Sequence, residues 1–343
     1  GLREDYDRFT FDVPRSAYWV GKDLFRNSVV SPLAAETGQS GAHDYYQSAL
    51  TDRLEAWLQA DGTPLDTDPS AELFYYDEGL GSLFEYPTEF GAVTSVNDHH
   101  FHYGYFVYGA AEVARTNDEW AATDAWGGMV DLLVRDYANW ERPDHSAELD
   151  PAGDPTNSFP FLRNFDIYSG HSWAGGTVGN PKGNNQESSS EAVMAYAAMI
   201  RWGEMTGNEE LRDAGIFLYT QETHAVWDYW FDPENDSQPD DWGEEYTDIE
   251  VAGPDFEYAA NVWGAGYWRR LWWAMSDPVE VYGINWLPVG PHSHYLGRDP
   301  SYAHANWTDM IDARERFGGV EDPTADFLGG WEPTAWGYRA FSD

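Results

Sequence analysis

The sequence predicts an all-α protein, and three observations carry that expectation. Residues 98–114 are aromatic or apolar on nearly every helical face, with Phe101, Tyr103, Tyr105, Phe106, Val107, Tyr108 and Val113 among them, the pattern of a helix buried all round. Residues 187–205 have the same character, through Ala192, Val193, Met194, Ala195, Tyr196, Ala197, Ala198, Met199 and Ile200. Each is followed by a one-sided helix: 118–137, with Trp126, Met129, Val130 and Leu133 in register, and one from about 208, with Leu211, Ala214, Gly215 and Leu218 in register. A buried helix twice followed by an amphipathic one suits a double ring, with inner helices enclosed and outer helices half exposed. No repeat of 20–50 residues is visible, so a solenoid is not expected.

The other elements follow in order. Residues 1–15 form an irregular lead-in. Residues 17–37 are expected to be helical, with Pro32 as a kink or break. Residues 42–60 are amphipathic, with Leu50, Leu54, Trp57 and Leu58 on one face. A loop from Asp61 to Ser70 leads to the apolar Leu73-Phe74-Tyr75-Tyr76. Residues 138–186 form a long connection rich in Pro, Gly, Asn and aromatics, and connections of this length are usually functional. Segments near 256–273 and 301–316 are expected to be helical, and Val281 to Pro288 extended or irregular. No linker stands out, so residues 1–343 are expected to form a single domain.

Composition narrows the function. The 343 residues carry a formal charge of -41, and Lys22 and Lys182 are the only lysines. The acids are spread through the chain, and 17% of residues are aromatic, including 18 tryptophans; a disordered acidic chain would lack those aromatics. The expectation is a folded protein with an acid-coated surface of the halophilic kind, destabilised by self-repulsion at low salt. Nucleic acid is an unsuitable partner because phosphates require a basic face. No run of 18 apolar residues is present, so no membrane partner is expected. Cysteine is absent, which excludes disulfides and thiolate chemistry.

Two constellations carry chemistry. Asn184 to Glu191 reads Asn-Asn-Gln-Glu-Ser-Ser-Ser-Glu. With Asn184 or Asn185 as N-cap, Glu187 and Glu191 would lie four apart on one helical face. Like charges there are mildly unfavourable, so the pair has either a catalytic role or a bland one, with Glu187 completing a capping box and Glu191 solvated. Asn97 to Tyr105 reads Asn-Asp-His-His-Phe-His-Tyr-Gly-Tyr. Asn97 is a good N-cap, and Asp98 and His102 are four apart. His99 and His100 point to different faces and no second ligand cluster is visible, so no metal is expected.

These two stretches resemble the signatures of glycoside hydrolase family 81, the endo-β-1,3-glucanases: Asn97 to Tyr105 the first, Asn185 to Val193 the second. Val134-Arg135-Asp136-Tyr137-Ala138-Asn139, Phe159 to Asp166, Gly170-His171-Ser172-Trp173-Ala174, Gly21-Lys22 and Tyr76-Asp77-Glu78 also fit, and Tyr282 to Pro288 fits loosely. The resemblance spans about residues 17–290. It implies an (α/α)6 barrel and inverting hydrolysis of β-1,3-glucan. It places the general acid on Asp98 and the general base on Glu187, with His102 and Glu191 as supporting site residues. Family members usually carry an N-terminal β-sandwich, to which nothing in this chain corresponds.

Inversion needs one protonated and one ionised carboxyl group. Asp98 is therefore expected to have a raised pKa, through repulsion from Glu187 and Glu191 and burial among Phe and Tyr. Tyr103, Trp173 and Tyr76 are candidate sugar platforms, and Asp166, His171 and Gln186 are polar candidates for substrate binding. No cofactor is implied. The partner is β-1,3-glucan, the chain is expected to be a monomer, and secretion is inferred from a polymer too large to import. Two other readings compete: a different α/α-toroid glycosidase or lyase, and a non-catalytic glucan-binding protein. A lyase would have to bind a polyanion, which so acidic a chain repels.

Overall fold

The computed structural model describes residues 15–59, 71–142, 159–238, 258–271, 273, 277–318 and 331–342. The expected lead-in up to residue 14 and the Asp61 to Ser70 loop lie outside the described residues. The chain is dominated by helices, as the periodicity predicts, and it divides into two compact units. One comprises residues 1–165, 175–177 and 195–217; the other comprises 166–174, 178–194 and 218–343.

The first unit is built on helix α1 (Ala17–Glu36), α2 (Ser40–Trp57), α4 (His99–Thr116) and α5 (Gly128–Ala138), with a one-turn helix α3 (Ala92–Ser95) before α4. Helix α1 runs through Pro32 without ending. In α2, Leu50, Leu54 and Trp57 are buried, as is Leu58 just beyond it. Every residue of α4 from His99 to Ala114 is buried. Burying its five large aromatics contributes on the order of 1.5–3 kcal/mol each before entropy is subtracted. Gly21 lets α1 approach α4, since a Cβ there would lie 2.6 Å from Tyr105 Cβ. An antiparallel hairpin of β1 (Leu73–Asp77) and β2 (Ser82–Tyr86) pairs Tyr75 with Phe84.

Helix α5 begins later than the sequence pattern implied. Residues 123–127 form a π-type turn broken at Ala125 (φ -104, ψ -114), and regular helix starts only at Gly128. The apolar register extends N-terminal of that break, which is why 118–137 reads as one helix.

Two long helices contribute residues to both units: α6 (Ser189–Thr206) and α7 (Glu209–Ala225). The second unit adds a sheet in which β3 (Asn185–Gln186), β4 (Asn261–Trp263) and β5 (Gly266–Trp268) pair antiparallel. The expected helix near 256–273 is therefore wrong where it is described: residues 261–268 form a hairpin. Helix α8 (Pro278–Gly283) also corrects the start of the segment from Val281 to Pro288 that was expected to be extended or irregular, while residues 284–288 are irregular. Asp277 caps the helix, accepting from Val279 N–H at 3.0 Å, and a proline occupies the first turn. Helices α9 (Pro300–Gly318) and α10 (Glu332–Arg339) close the chain. The core of this unit is aromatic, with Trp230, Trp286, Tyr258, Tyr282 and Tyr338 fully buried. Among the described residues no helix is long and apolar enough to cross a membrane.

Candidate active site

In the first unit the chain reaches helix α4 through a strained approach. Phe90, Gly91, Val96 and Asp98 all have left-handed backbones, with φ of 50, 77, 52 and 61. Each non-glycine residue there costs about 1–3 kcal/mol unless its surroundings hold it. Asn97 Nδ2 donates to Phe90 O at 2.9 Å, and Gly176 N–H donates to Val96 O at 2.9 Å. Residue 176 must be glycine, because a Cβ would lie 2.6 Å from Val96 Cβ. Asp98, not Asn97, occupies the N-cap position, and its side chain does not cap the helix. Its carbonyl accepts the first helical bond, from His102 N–H at 3.0 Å. The Asp98 side chain is only 7% exposed.

The three histidines that follow enter three environments. His99 Nδ1 meets Asp136 Oδ2 at 2.6 Å and its Nε2 meets Ala92 O at 3.0 Å. His100 lies against Phe101, and burial, then the neighbouring His99 and His102, lowers its pKa well below the ordinary value. His102 Nδ1 meets Glu85 Oε2 at 2.8 Å, with both residues buried. Among the described residues no group of three His, Cys, Asp or Glu is placed to hold a metal.

Asp136 binds this region together. Its Oδ1 accepts from Ser82 Oγ at 2.9 Å and Leu83 N–H at 2.7 Å, while Arg163 Nε donates to its backbone carbonyl at 2.8 Å. Burial opposes its charge, but His99, Arg163 and the Leu83 amide outweigh that and hold its carboxyl below the usual range. Tyr103 is a core residue. It is fully buried, and its hydroxyl donates to Leu83 O at 2.9 Å. No ring face is left for a sugar, which corrects its expected role as a platform. Tyr76 is half-buried against Phe159.

In the second unit the pairing of Asn185–Gln186 with Val262–Trp263 excludes these residues from the helix. Helix α6 starts at Ser189, so Glu187 precedes it and Glu191 lies in its first turn. The expected placement of both carboxylates on one helical face is therefore wrong, because strand pairing across 76 residues won over local capping. Glu191 is also not solvated: it is 2% exposed and accepts from Ser188 Oγ at 2.5 Å. Asn285 fixes the start of the helix, its Oδ1 accepting from Ser189 N–H at 3.0 Å and Ser189 Oγ at 2.8 Å.

Glu187 is half-buried, with Trp273 Nε1–H reaching its Oε2 at 3.4 Å. Removal from water pushes its pKa up, Glu191's charge adds to that, and the Trp273 contact opposes it; the result is about 7. The carboxyl is thus a stronger base than an ordinary glutamate while still ionised above neutral pH.

The remaining candidates cluster in the same unit. Asp166 Oδ2 accepts from Ser169 Oγ at 2.9 Å and from Trp173 Nε1 at 3.2 Å. Burial opposes its charge, but the bonds from Trp173, Ser169 and the Tyr168 and Ser169 amides keep its carboxyl below the ordinary range. Trp173 packs edge-on to His171 with centroids 4.4 Å apart. His171 is 2% exposed, its Nδ1–H donating to Ser172 O at 2.8 Å, and burial lowers its pKa to about 4, so it is neutral at neutral pH. Gln186 Nε2 donates to Ser172 Oγ at 2.5 Å. Ser172 in turn donates from Oγ at 2.8 Å and from its amide at 2.7 Å to Glu222. Burial lifts the Glu222 carboxyl to about 8 against those bonds.

Sequence reasoning missed Glu85, Asp136 as a hub, Glu222, Trp273 and Asn285. Glu85 and Glu222 lie in otherwise ordinary elements, and their partners lie 17 and 50 residues away. Asp136 and Asn285 lie in segments that already carried the resemblance, which was the available signal.

The profile of the glycosyl hydrolase family 81 C-terminal domain matches residues 10–331. This chain belongs to glycoside hydrolase family 81. Its similarity to a glucan endo-1,3-beta-D-glucosidase of Acetivibrio thermocellus is 44% identity over 294 residues, which is 86% of this chain and 34% of that protein. To the glucan endo-1,3-beta-D-glucosidase of Thermobifida fusca it is 37% over 326 residues, 95% of this chain and 38% of that protein. The solved structure of a glutamate-to-alanine mutant of the family 81 glycoside hydrolase of Clostridium thermocellum superimposes with a TM-score of 0.81 at 41% identity, covering 97% of this chain and 41% of that one. The chain thus spans about a third to two fifths of the length of these family 81 relatives.

Proposed function

We propose that this family 81 chain hydrolyses β-1,3-glucan within the chain and with inversion, in an (α/α)6 barrel. Asp98 donates a proton to the leaving glycosidic oxygen, and Glu187 takes a proton from the water that attacks the opposite face of the sugar. The observation that supports this most is the Glu187–Glu191 pair. A half-exposed carboxyl lifted to about 7 beside a buried second glutamate is a base suited to activating water near neutral pH. The similar proteins named glucan endo-1,3-beta-D-glucosidase support the substrate. Asp98, at the head of helix α4 and almost buried, is the proton donor of this reading. His102, oriented by Glu85, supports Asp98. Trp173, Asp166 and Tyr76 contribute to substrate binding, while the buried Gln186 and His171 act behind them, Gln186 on Ser172 and His171 against Trp173.

The chain acts outside the cell, because its substrate is a polymer too large to import, and as a monomer, and the charge of -41 adapts it to high salt. The test is reducing-end release from laminarin in molar salt. Asp98→Asn and Glu187→Gln are each expected to lose about 10²–10⁴-fold in rate. Wild-type rates in either variant would remove that residue from its role.

A further inference from the structure

The Gly21-Lys22 segment has no part in the chemistry proposed above, yet the structure builds a specific surface around it. Trp19 and Phe90 expose 41% and 51% of their surface. Tyr18 lies between them, meeting Trp19 edge-on with centroids 5.1 Å apart and Phe90 edge-on at 5.3 Å. The inner side of this trio rests on His102, at 5.1 Å from Tyr18 and 6.0 Å from Phe90. Lys22 Nζ stands 4.6 Å from the Tyr18 ring and 6.0 Å from the Trp19 ring.

Single exposed aromatics are ordinary, but this group is held in place from several directions. Phe90 has φ of 50, a conformation retained at a cost and pinned by Asn97 Nδ2 on its carbonyl at 2.9 Å. Ser16 Oγ donates to Glu89 Oε2 at 2.5 Å, joining the head of α1 to the residue before Phe90. Gly21 sets the spacing of α1 on Tyr105. Strain, a side-chain clamp and a close helix approach thus fix two exposed aromatic side chains beside helix α4.

We propose that Tyr18, Trp19, Phe90 and Lys22 form a glucosyl-binding subsite, the rings stacking on the C–H face of a β-linked glucose and Lys22 donating to its hydroxyls. A β-glucopyranose carries its hydroxyls around the rim and C–H groups on both faces, so it matches aromatic faces rimmed by one donor. The charge of -41 disfavours a polyanionic glycan at the same surface. The proposal rests on the glucanase reading, and the test separates the two.

Calorimetric titration of laminarihexaose into the Glu187→Gln protein is compared with the same protein carrying Trp19→Ala. Binding about tenfold weaker is expected, restored largely by Trp19→Phe. Trp336→Ala, which removes another exposed tryptophan (50%) from helix α10, leaves the affinity unchanged. In the hydrolytic background, Trp19→Ala raises KM for laminarin rather than lowering kcat. If the Glu187→Gln protein binds laminarihexaose and Trp19→Ala changes that by less than about twofold, the subsite is overturned and the glucanase reading stands. If the wild type cuts no glucan but laminarihexaose binding still falls in Trp19→Ala, the subsite holds and the hydrolytic reading fails. If there is neither binding nor hydrolysis, both fall.

Discussion

Replacing Glu191 by glutamine tests the electrostatic basis of the proposed base. Glu187 is displaced from its ordinary 4.5 to about 7, which corresponds to about 3 kcal/mol against the ionised form. Removal from water is the larger cause and Glu191's charge the smaller, so Glu191 accounts for less than half, on the order of 1 kcal/mol. Glutamine keeps an oxygen to accept the Ser188 hydroxyl while removing the charge. Glu187 must be ionised to act, so activity rises with pH as it loses its proton. In Glu191→Gln that acidic limb of the kcat/KM profile on laminarin should move to lower pH, by about one unit at most. A limb that stays in place, or moves upward, would refute the coupling between the two glutamates.

Three further outcomes follow from the same geometry. Glu222 is lifted to about 8, so the native state holds its proton more tightly than the unfolded chain. Its contribution to stability is present below about pH 4.5 and is lost as pH rises toward 8, by at most about 1.4 kcal/mol per pH unit. Glu222→Gln mimics the protonated form, so the difference in unfolding free energy between variant and wild type should grow in the variant's favour across that window; a constant difference would contradict it. Asp136→Asn leaves His99 and Arg163 facing a neutral group in the core and should cost about 3–5 kcal/mol in denaturant unfolding, and a loss below about 1 kcal/mol would show that Asp136 is not the hub. Raising salt from 0.1 to 1 M shortens the screening length from about 10 to 3 Å, so a chain of charge -41 should melt at a clearly higher temperature, and a flat or falling melting temperature would argue against the halophilic reading.

The parts of the fold legible in the sequence are those with sustained helical periodicity. Residues 99–114 read as buried all round and are buried throughout; Leu50, Leu54 and Trp57 read as one face and are buried together. The failures in the second unit's sheet share one cause, long-range pairing too short to leave a pattern, whereas helix α5 is interrupted locally at Ala125 and helix α8 is started locally by Asp277. Asn185 and Gln186 look like a helix start until Val262 and Trp263 pair with them, and Asn261 to Trp268 carries too few residues to show alternation. The first candidate segment, from Asn97 to Tyr105, stands out in the sequence because the motif is contiguous. What holds it does not, because Glu85 and Asp136 take on their roles through partners 17 and 37 residues away. Tyr103 illustrates the limit for aromatics: the sequence does not distinguish a ring that closes the core from one that faces a sugar, whereas burial does.

The central claim is inversion by Asp98 and Glu187, and the most direct measurement is laminarin hydrolysis followed by NMR from the first seconds, in molar salt. The account predicts that the α-anomer appears first and equilibrates later, and that Asp98→Asn and Glu187→Gln release no sugar on that timescale. A β-anomer appearing first would contradict it.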